Sequence, residues 1–316
     1  MAKKRTYRIK NWAEYNKSLI QRGDITLWCS DDAIGGWVLP NEGKRGRPIM
    51  YSDEAILCAL MIKAVYRLPL RALEGFLVSL LGLLGALLPV PSYTQICRRA
   101  AFLGQIVKRL SSKKNITDIV IDSSGLKVYG EGEWKVRQHG KSKRRTWRKI
   151  HLGICGHSQE IVLSLLTENS VSDAEGAEEM AKAMPSTVKR GCGDGAYDKS
   201  SCYRKFRELG IDWITPPQRG AVCHDLKREP WMKQRNDAIR AIAGLGNDEE
   251  ARSIWKKLKE YHRRSLAETG VSRFKMIFGS GLKAREIRRQ RAEAYAKAIA
   301  MNKMTRLGMP KGRWVS

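Results

Sequence analysis

Acidic residues are scarce in this sequence relative to basic ones. The 316 residues include 32 Asp and Glu against 59 Lys and Arg, so the formal net charge is +27 at pH 7. An enzyme of small neutral molecules has no need of such an excess, whereas a chain that neutralises phosphates gains affinity from each counterion that it releases. The imbalance therefore indicates a polyanionic partner. Ribosomal or membrane-surface association would explain the charge taken alone.

Long hydrophobic runs are also absent. The richest apolar stretch, residues 76–90, is too short to span a bilayer and contains two glycines. No apolar segment has the layout of a signal peptide. We therefore expect a soluble, cytoplasmic protein with no membrane partner.

The sequence lacks cysteine and histidine pairs with the spacing of zinc ligands. Its seven cysteines contain no Cys-x-x-Cys pair, and none of its five histidines completes a recognised ligand pattern. Such a scattered, odd-numbered set is typical of reduced intracellular thiols. The chain is long enough to bury a substantial core and to form two or three domains.

Two aspartates follow segments with the composition of strands. Asp122 comes directly after the β-branched run 119–121, and Asp194 follows residues 188–192 and lies between two glycines. Glycine neighbours permit tight turns and close approach to a phosphate. We expect both aspartates to lie on or just past strands, although an aspartate in this context can also be a turn or cap residue.

A glutamate in a predicted helix is the third acidic residue of interest. Ile254, Leu258 and Tyr261 follow one another at intervals of four and three residues, which is the spacing of side chains on one face of a helix. Its continuation consists of Ser265, Glu268, Ser272 and Lys275. The spacing therefore places Glu268 where a core residue is expected, and a buried carboxylate needs a cationic partner. Either metal ions or Arg264, four residues earlier on the same helix, can be that partner.

Three carboxylates from separate segments can hold a pair of divalent cations. Mg²⁺ prefers oxygen ligands, and two metals about 3.5–4 Å apart stabilise the attacking and leaving oxygens of a phosphodiester displacement. Asp122, Asp194 and Glu268 are therefore candidate catalytic residues and metal ligands.

The same residues lie in segments that resemble a known family. Residues 121–127 are similar to the first-aspartate motif of the DDE transposases of bacterial insertion sequences, and residues 193–198 resemble the second. Residues 145–152 are similar to the basic strand between them. The glutamate signature of the family is matched by Tyr261, Arg264, Glu268 and Lys275. The best match is the group named insertion-sequence family five.

The resemblance implies a ribonuclease-H-like domain that cleaves DNA at transposon ends and joins the 3′ hydroxyls to a target. It implies two Mg²⁺ ions, with Mn²⁺ able to substitute, and neither an organic cofactor nor a covalent protein intermediate. Tyr261, Arg264 and Lys275 would support the acids or contact phosphates. The implied partners are double-stranded DNA and a second copy of the chain on that DNA, in the nucleoid of a bacterial cell. A catalytically inactive or domesticated DNA-binding relative and a ribonuclease-H-like nuclease are the alternatives.

The hydrophobic pattern itself predicts an α/β fold with a mixed sheet flanked by helices. The strand-like segments are residues 116–121, 134–138, 146–155, 161–167, 188–192 and 213–215. The helix-like segments between them are residues 173–184 and 201–209. The first of these helices starts with a capping box formed by Ser172 and Glu175.

Composition divides the chain into three regions. Residues 1–110 form a predicted helical, DNA-binding region, and residues 111–280 form the catalytic domain. That domain contains an insertion at residues 216–247. Residues 281–316 form a predicted basic tail, whose helix at 292–304 would follow the DNA backbone.

The N-terminal region contains three predicted helices, at residues 53–65, 70–81 and 92–103. The third resembles the recognition helix of a helix-turn-helix, which would read the inverted repeats. Its side chains suited to base edges and phosphates are Ser92, Tyr93, Gln95, Arg98 and Arg99. A purely structural helical cap is the alternative.

Other predicted DNA contacts lie outside this helix. Arg45 and Arg47 belong to an Arg-Gly-Arg-Pro sequence that is similar to the AT-hook, although a basic linker is the alternative. The basic segment 132–151 is either a DNA-contacting hairpin or a solvated surface. Its candidate contacts are Lys141, Arg144, Arg145, Arg148 and Lys149. Trp231, in the insertion, is either a stacking platform for a displaced base or a local packing anchor.

Overall fold

The structure, a computed structural model, describes residues 6–29, 34–40, 50–104, 107–110, 115–128 and 147–315. The chain divides into two compact units. The smaller unit contains Met1–Leu103 and Ala296–Ser316, and the larger unit contains Gly104–Tyr295. In the described part of the chain, no helix combines the length and the hydropathy that crossing a membrane requires.

The strands of the described residues belong to two sheets. They are β1 (Thr6–Ile9), β2 (Val107–Arg109), β3 (Asp118–Val128), β4 (Trp147–Cys155), β5 (Ile161–Glu168), β6 (Arg190–Cys192), β7 (Asp212–Ile214), β8 (Gly281–Leu282) and β9 (Gly312–Val315). β1 pairs with β9 in the smaller unit. The others form a mixed sheet in the larger unit, with the order β2-β5-β4-β3-β6-β7 and with β8 added to β3.

The helices of the described residues belong to both units. They are α1 (Trp12–Gln21), α2 (Asp53–Val65), α3 (Leu70–Leu83), α4 (Tyr93–Leu103), α5 (Asp173–Ala181), α6 (Ser200–Glu208), α7 (Lys233–Gly244), α8 (Glu249–Leu258), α9 (Ser265–Phe278) and α10 (Ile287–Leu307). The predicted helices of the N-terminal region correspond to α2, α3 and α4. The predicted capping box of α5 is confirmed, because Ser172 and Glu175 each accept the backbone N–H of the other.

The mixed sheet is buried on both faces because helices pack on each side of it. Ile119 and Ile121 of β3 lie in a core shared with Phe206 of α6. Val120, between them, lies in a second core with Trp255 of α8. Alternate side chains of a strand point to opposite faces, so a continuous apolar run such as 119–121 is typical of a central strand with two covered faces.

The strand order identifies the fold class. β3, β4 and β5 are antiparallel neighbours, whereas β6 and β7 run parallel to β3. The order β5-β4-β3-β6-β7 with helices on both faces is that of the ribonuclease-H-like fold. The predicted class is confirmed. The strand predicted at 134–138 lies outside the described residues.

The prediction of one continuous buried helical face between residues 254 and 275 is wrong. α8 ends at Leu258, which is exposed, and Glu260 adopts a left-handed conformation with φ of 48°. A 3-10 turn, Tyr261–Arg264, then leads into α9. Because the left-handed residue interrupts the helix, the spacing before it does not continue into α9. The buried face of α9 is therefore formed by other side chains than those predicted. Those side chains are Ala267, Gly270, Val271, Phe274 and Phe278.

Residues 281–316 do not form a separate tail. β8 pairs with the end of β3 in the larger unit, and β9 pairs with β1 in the smaller unit. The helix predicted at 292–304 is present within α10, but Ala294, Ala298 and Met301 are buried. This part of α10 is therefore a packing element and not an exposed track for DNA.

Candidate active site

Asp122 lies on β3, the central strand of the mixed sheet. Strand alternation places it on the same face as Val120, which is the face covered by α8 and α9. Its Oδ1 accepts a hydrogen bond from the Ser123 N–H at 2.9 Å. Its Oδ2 accepts none from the described residues, so one carboxylate oxygen is available to a ligand.

Asp194 follows β6, which runs parallel to β3. The register pairs Val120 with Cys192, so both chains continue toward the same end of the sheet, where Asp122 and Asp194 follow two residues later. Asp194 Oδ1 accepts a hydrogen bond from the Ala196 N–H at 2.9 Å and starts a short 3-10 turn.

Gly193 permits the tight packing of this loop. A Cβ at this position would lie 2.7 Å from the ring of Tyr197 and 3.2 Å from that of Trp213. A larger residue would have to displace one of these buried rings, and the backbone that carries Asp194 would move with it.

Glu268 lies in the first turn of α9, which packs against β3 and β4. Its side chain is 52% exposed, so it is not in the core as the spacing predicted. Its Oε1 is 2.5 Å from Nη2 of Arg264, a partner that the sequence offered as one of two alternatives. The structure shows this ion pair directly.

Tyr261 connects the glutamate helix to the second aspartate. Its hydroxyl donates a hydrogen bond to the carbonyl oxygen of Gly193 at 3.1 Å, and its ring is buried. The guanidinium of Arg264 lies 5.9 Å from the centre of that ring. Tyr261 and Arg264 therefore fix the position of α9 relative to the loop that carries Asp194.

The electrostatics of Asp122 reflect both burial and neighbouring charge. The pKa of Asp122 is raised to about 6, chiefly by burial and also by the carboxylates of Asp194 and Glu268, against the opposing effects of the Ser123 N–H and Arg264. A carboxylate that is expensive to ionise beside two others is typical of a site built for cations.

The donor set suits a divalent cation, although the side chains are not gathered around one point. Each of the three acids has one carboxylate oxygen without a hydrogen bond from the described residues, and carboxylate oxygen is the ligand that Mg²⁺ prefers. Within the described ranges, no three His, Cys, Asp or Glu side chains are close enough to hold a metal ion. Glu268 is turned toward Arg264 instead. The assignment of Asp122, Asp194 and Glu268 as metal ligands thus stays a prediction.

A family model described as "Transposase DDE domain" matches residues 113–303, more than half of the chain. The chain belongs to the DDE transposase family. A second model with the same description matches residues 20–131. The narrower resemblance to insertion-sequence family five stays a prediction.

Among solved structures, the "Drosophila P element transposase strand transfer complex" is 10% identical in sequence. The match covers 94% of this chain and 86% of that one, with a TM-score of 0.29. A likeness at this level supports no argument about either fold or function.

In this DDE transposase, a polar cluster behind Asp122 was not found from the sequence. Ser123 points to the opposite face of β3, and its hydroxyl donates to Asp173 Oδ1 at 2.7 Å. Lys149 of β4 lies 3.2 Å from the same oxygen and donates to the carbonyl of Val171 at 2.9 Å. The cluster ties β3 and β4 to the start of α5 and so holds the backbone next to Asp122.

Gly270 lies in the interior of α9, where glycine costs about 1 kcal/mol of helix propensity. In the structure, a Cβ at this position would lie 2.1 Å from Cδ1 of Ile154 on β4. Glycine therefore lets α9 approach the sheet closely, two residues after Glu268. The glycine is visible in the sequence, but only the packing shows that it permits this close contact between α9 and β4.

The predicted recognition helix of the transposase is α4, and much of its predicted contact set is used within the fold. Ser92 and Gln95 form a reciprocal helix cap. Arg99 donates to the carbonyl of Tyr51 at 2.7 Å and pairs with Asp53 at 2.5 Å. These contacts favour the structural alternative for three of the five residues.

Arg98 and Tyr93 differ from the other three predicted residues of α4. Arg98 is exposed and forms neither a hydrogen bond nor an ion pair with the described residues. The ring of Tyr93 lies 5.0 Å from the guanidinium of Arg71. Arg98 is thus the side chain of α4 best placed to meet a phosphate or a base.

The remaining predicted DNA contacts fall into two groups. Arg148 donates to Gln290 Oε1 at 3.0 Å, and Lys149 is held by Asp173, so both are engaged within the larger unit. The others lie outside the described residues; they are Arg45, Arg47, Lys141, Arg144 and Arg145.

Trp231 makes the contacts of a packing residue. Its indole N–H donates to Ser200 Oγ at 2.8 Å, and the guanidinium of Arg204 lies 5.7 Å from its ring. It also packs against the core beneath α5 and α6. The role of Trp231 in stacking on a displaced base stays a prediction.

Proposed function

We propose that this DDE transposase binds the inverted-repeat ends of an insertion sequence, cleaves them by metal-dependent phosphodiester hydrolysis and joins the 3′ hydroxyl ends to target DNA. One observation supports the proposal most strongly. Asp122 lies on β3, Asp194 follows the adjacent parallel strand β6, and Glu268 lies on α9, which packs against β3 and β4. These are the three acids that resemble the family motif. The pKa of Asp122 is raised by burial and, to a smaller extent, by the neighbouring carboxylates.

Divalent cations at this site, Mg²⁺ with Mn²⁺ as a substitute, would activate the attacking oxygen and stabilise the leaving oxygen of the scissile phosphodiester. Asp122 and Asp194 would hold them with the oxygens that carry no internal hydrogen bond. Glu268 would join them only after its side chain turns away from Arg264, which is then free to contact a DNA phosphate.

Lys275 completes the matched signature and is half-buried on α9. Its side chain forms no hydrogen bond or ion pair with the described residues, so its ammonium group is available to a phosphate. Tyr261 has a structural role in the proposal, because its hydrogen bond to Gly193 holds the Asp194 loop beside α9.

DNA is proposed as the partner on the basis of charge and of the family. A net charge of +27 favours association with a polyanion, and Arg98 of α4 is proposed to contact the element end. Joining two ends to one target requires two active sites, so the working assembly on DNA is proposed to be at least a homodimer.

The test of the reaction uses the full chain, a labelled element end, Mg²⁺ and sequencing of the product termini. Cleavage at the element boundary followed by strand transfer supports the proposal. Binding without cleavage indicates the inactive relative, and nicking at random positions indicates a nuclease. Either of those results would overturn the proposal.

The test of the site compares variants of acids inside and outside it. Asp122→Asn and Glu268→Gln should abolish cleavage while DNA binding is kept, because the fold and the cationic surfaces are unchanged. Glu249→Gln is the matched control, since Glu249 is exposed and, within the described part of the chain, forms an ion pair with Arg219 alone. Strand transfer that survives in Asp122→Asn would remove the site assignment.

The test of end recognition replaces a single arginine. Arg98→Ala should weaken binding to the element end more than binding to unrelated DNA, provided that Arg98 contacts bases. Equal losses on both DNAs would reduce its role to a phosphate contact. Unchanged affinity for both would exclude α4 from the interface.

A further inference from the structure

Two buried thiols lie side by side in the smaller unit. Cys29 lies in the segment between α1 and α2, and Cys58 lies in the middle of α2. Their Sγ atoms are 3.8 Å apart and share a hydrogen bond, although the two residues are 29 positions apart in the sequence. The residues are 5% and 0% exposed. An S–S bond is about 2.05 Å long, so the sulfur atoms need to approach each other by only about 1.8 Å to form one.

Further contacts make the two thiols chemically different. The thiol of Cys58 donates to the carbonyl of Trp28 at 3.2 Å. The ammonium group of Lys303, on α10, donates to the carbonyl of Leu27 at 3.2 Å and acts on Cys29 from there. The hydrogen bond with Cys58 and the charge of Lys303 lower the pKa of Cys29 against the effect of burial.

The pKa of Cys58 moves in the opposite direction. Its hydrogen bond with Cys29 and its burial both raise the pKa. Cys29 is therefore the thiol of the pair that ionises first. Since the thiolate is the reactive form of cysteine, Cys29 is the nucleophile and Cys58 is the thiol placed to react with its oxidised product.

Three cysteines of the larger unit provide a comparison. Burial raises the pKa of Cys192 to about 11 and that of Cys202 to about 12. The thiol of Cys202 donates to the carbonyl of Ala174 at 3.8 Å. Cys223 is exposed. Buried thiols with a raised pKa react slowly, so the reactivity expected of Cys29 comes from its two neighbours and not from burial.

We propose that Cys29 and Cys58 form a reversible disulfide when the protein meets a peroxide, and that this bond locks the segment after α1 to α2. The thiolate of Cys29 attacks one oxygen of hydrogen peroxide. An S–O bond forms, the O–O bond breaks, and the released hydroxide takes up a proton to give water. The product is the sulfenic acid of Cys29.

The second step joins the two residues. The sulfur of Cys58 attacks the oxidised sulfur of Cys29, so that the S–S bond forms and the S–O bond breaks. The hydroxide that leaves takes the proton of Cys58 and becomes a second water. The two sulfur atoms together lose two electrons, and the peroxide gains them.

The disulfide acts mainly on the unfolded chain. A cross-link between residues 29 positions apart removes conformational freedom from the unfolded state, whereas the folded state already holds the two sulfur atoms in contact. The oxidised protein should therefore be more stable than the reduced one. Both thiols are free in the structure, which thus represents the reduced form. The inference does not rest on the proposed reaction, because neither cysteine belongs to the acidic site.

The test uses the full chain, treated with hydrogen peroxide under native conditions. Free thiols are then alkylated in denaturant, and the digested protein is analysed by mass spectrometry. A peptide pair joined through Cys29 and Cys58, lighter than the reduced peptides by two hydrogen atoms, should accumulate and should disappear with dithiothreitol. Oxidation of the exposed Cys223 in the same sample shows that the oxidant was active.

The effect on stability is measured as the Tm before and after oxidation. The Tm of the wild type should rise by several degrees, because the cross-link constrains the unfolded chain. Cys58→Ser should show no such rise, and its Cys29 should stop at the sulfenic acid, which dimedone traps. This variant also corrects the Tm for oxidation at other residues.

Two further variants test the neighbours of the pair. Lys303→Gln should slow disulfide formation several-fold, because no ammonium group then stabilises the thiolate of Cys29. Cys202→Ser is the matched control. It removes a buried thiol from the larger unit and should leave both the disulfide and its rate of formation unchanged.

Three results would overturn the inference. The first is the absence of the cross-linked peptide from wild-type protein in which Cys223 has been oxidised. The second is a cross-link that forms only when the oxidation is carried out in denaturant, since the folded state would then not bring the thiols together. The third is a disulfide that forms without raising the Tm. Because none of these measurements uses DNA, failure of the proposed reaction would leave them unaffected.

Discussion

Folding disfavours the charged forms of two titratable residues in the larger unit. Asp122, beside two other carboxylates, has its pKa raised to about 6, so the folded protein disfavours its ionised form. Burial acts on His151 in the same sense, because it also disfavours the charged form and lowers the pKa of that imidazole to about 4. Asp122 is oriented toward the candidate site, whereas His151 lies on the opposite face of the sheet.

His151 makes stability depend on pH. Its Nε2 is 3.0 Å from Thr167 Oγ1, and it is fully buried next to Gly176. The folded pKa of about 4 lies below the ordinary value of 6.5, so the folded state binds fewer protons than the unfolded one. The stabilisation is therefore fully present above pH 6.5 and is lost as the pH falls toward 4, by up to about 3 kcal/mol.

This effect is measured as the free energy of unfolding in urea between pH 7.5 and pH 4, a range that includes the ordinary and the lowered pKa of His151. His151→Phe should be less stable than the wild type at neutral pH, because Thr167 loses its partner, but should lose less stability on acidification. The exposed His262→Gln variant should follow the wild-type curve. If the free energy of unfolding of the wild type and of His151→Phe fell equally with decreasing pH, the prediction would be contradicted.

At the scale of elements, the position of α9 depends on two close contacts. Tyr261 joins the preceding 3-10 turn to Gly193, and Gly270 lets the helix lie against Ile154 of β4. Since Glu268 is carried by the same helix, its distance from the sheet is set by these contacts and not by its own interactions.

Gly270→Ala should displace α9 from the sheet. The added Cβ would lie 2.1 Å from Ile154 Cδ1, and overpacking of this kind costs about 1–3 kcal/mol, against about 1 kcal/mol gained in helix propensity. We expect lower stability and slower DNA cleavage. Gly244→Ala is the control, because a Cβ at that position in α7 would have no atom within 4 Å.

Ile154→Val should partly rescue Gly270→Ala, because valine lacks the methyl group that the new Cβ would meet. The double variant should be more stable and cleave faster than Gly270→Ala alone, as measured by urea unfolding and by the cleavage assay. If the effects of Gly270→Ala and Ile154→Val on the free energy of unfolding simply add in the double variant, the two side chains do not conflict.

The segment predicted as an insertion, residues 216–247, is anchored to the core by a buried ion pair. Arg235 of α7 donates to Asp198 at 2.8 Å, and their side chains are 10% and 1% exposed. Asp198 also accepts from the Tyr203 hydroxyl and from the Gln218 N–H. The pair joins the insertion to the loop that begins with Asp194.

Arg235→Ala should lower the free energy of unfolding by about 3–5 kcal/mol, because it leaves the carboxylate of Asp198 buried without its cation. Arg235→Met/Asp198→Asn should be more stable than Arg235→Ala, since no unpaired charge remains. Lys233→Ala, which breaks an exposed pair with Asp237, is the control and should cost about 0.5 kcal/mol or less. A double variant less stable than the single one would contradict this account.

The charge of the whole molecule favours binding to DNA of any sequence. With 59 basic and 32 acidic residues, many phosphates can be neutralised at once. Internal contacts already occupy some of these cations, such as Arg99 and Lys149. The number of phosphate contacts is therefore smaller than the composition suggests.

Salt should weaken DNA binding steeply. If the protein neutralises about 6–10 phosphates, its affinity for unrelated duplex DNA should fall by about 10³–10⁵ between 50 and 200 mM salt. Fluorescence anisotropy over this range gives the slope of log affinity against log salt. An affinity that does not change with salt would contradict the polyanion interpretation.

The sequence by itself determined the α/β class, most element positions within the described chain and the family, because periodicity, capping and motif spacing are local properties. It did not determine the phase of α9, since the left-handed Glu260 interrupts a spacing that reads as continuous. Only the tertiary structure showed that Glu268 is paired with Arg264, that Ser123 and Asp173 support β3, and that Gly270 contacts Ile154. The pair of Glu268 with Arg264 is local, and the sequence left it open beside metal ions. The other two contacts depend on which segments the fold brings together, and a pattern along one segment carries no information about its distant neighbours.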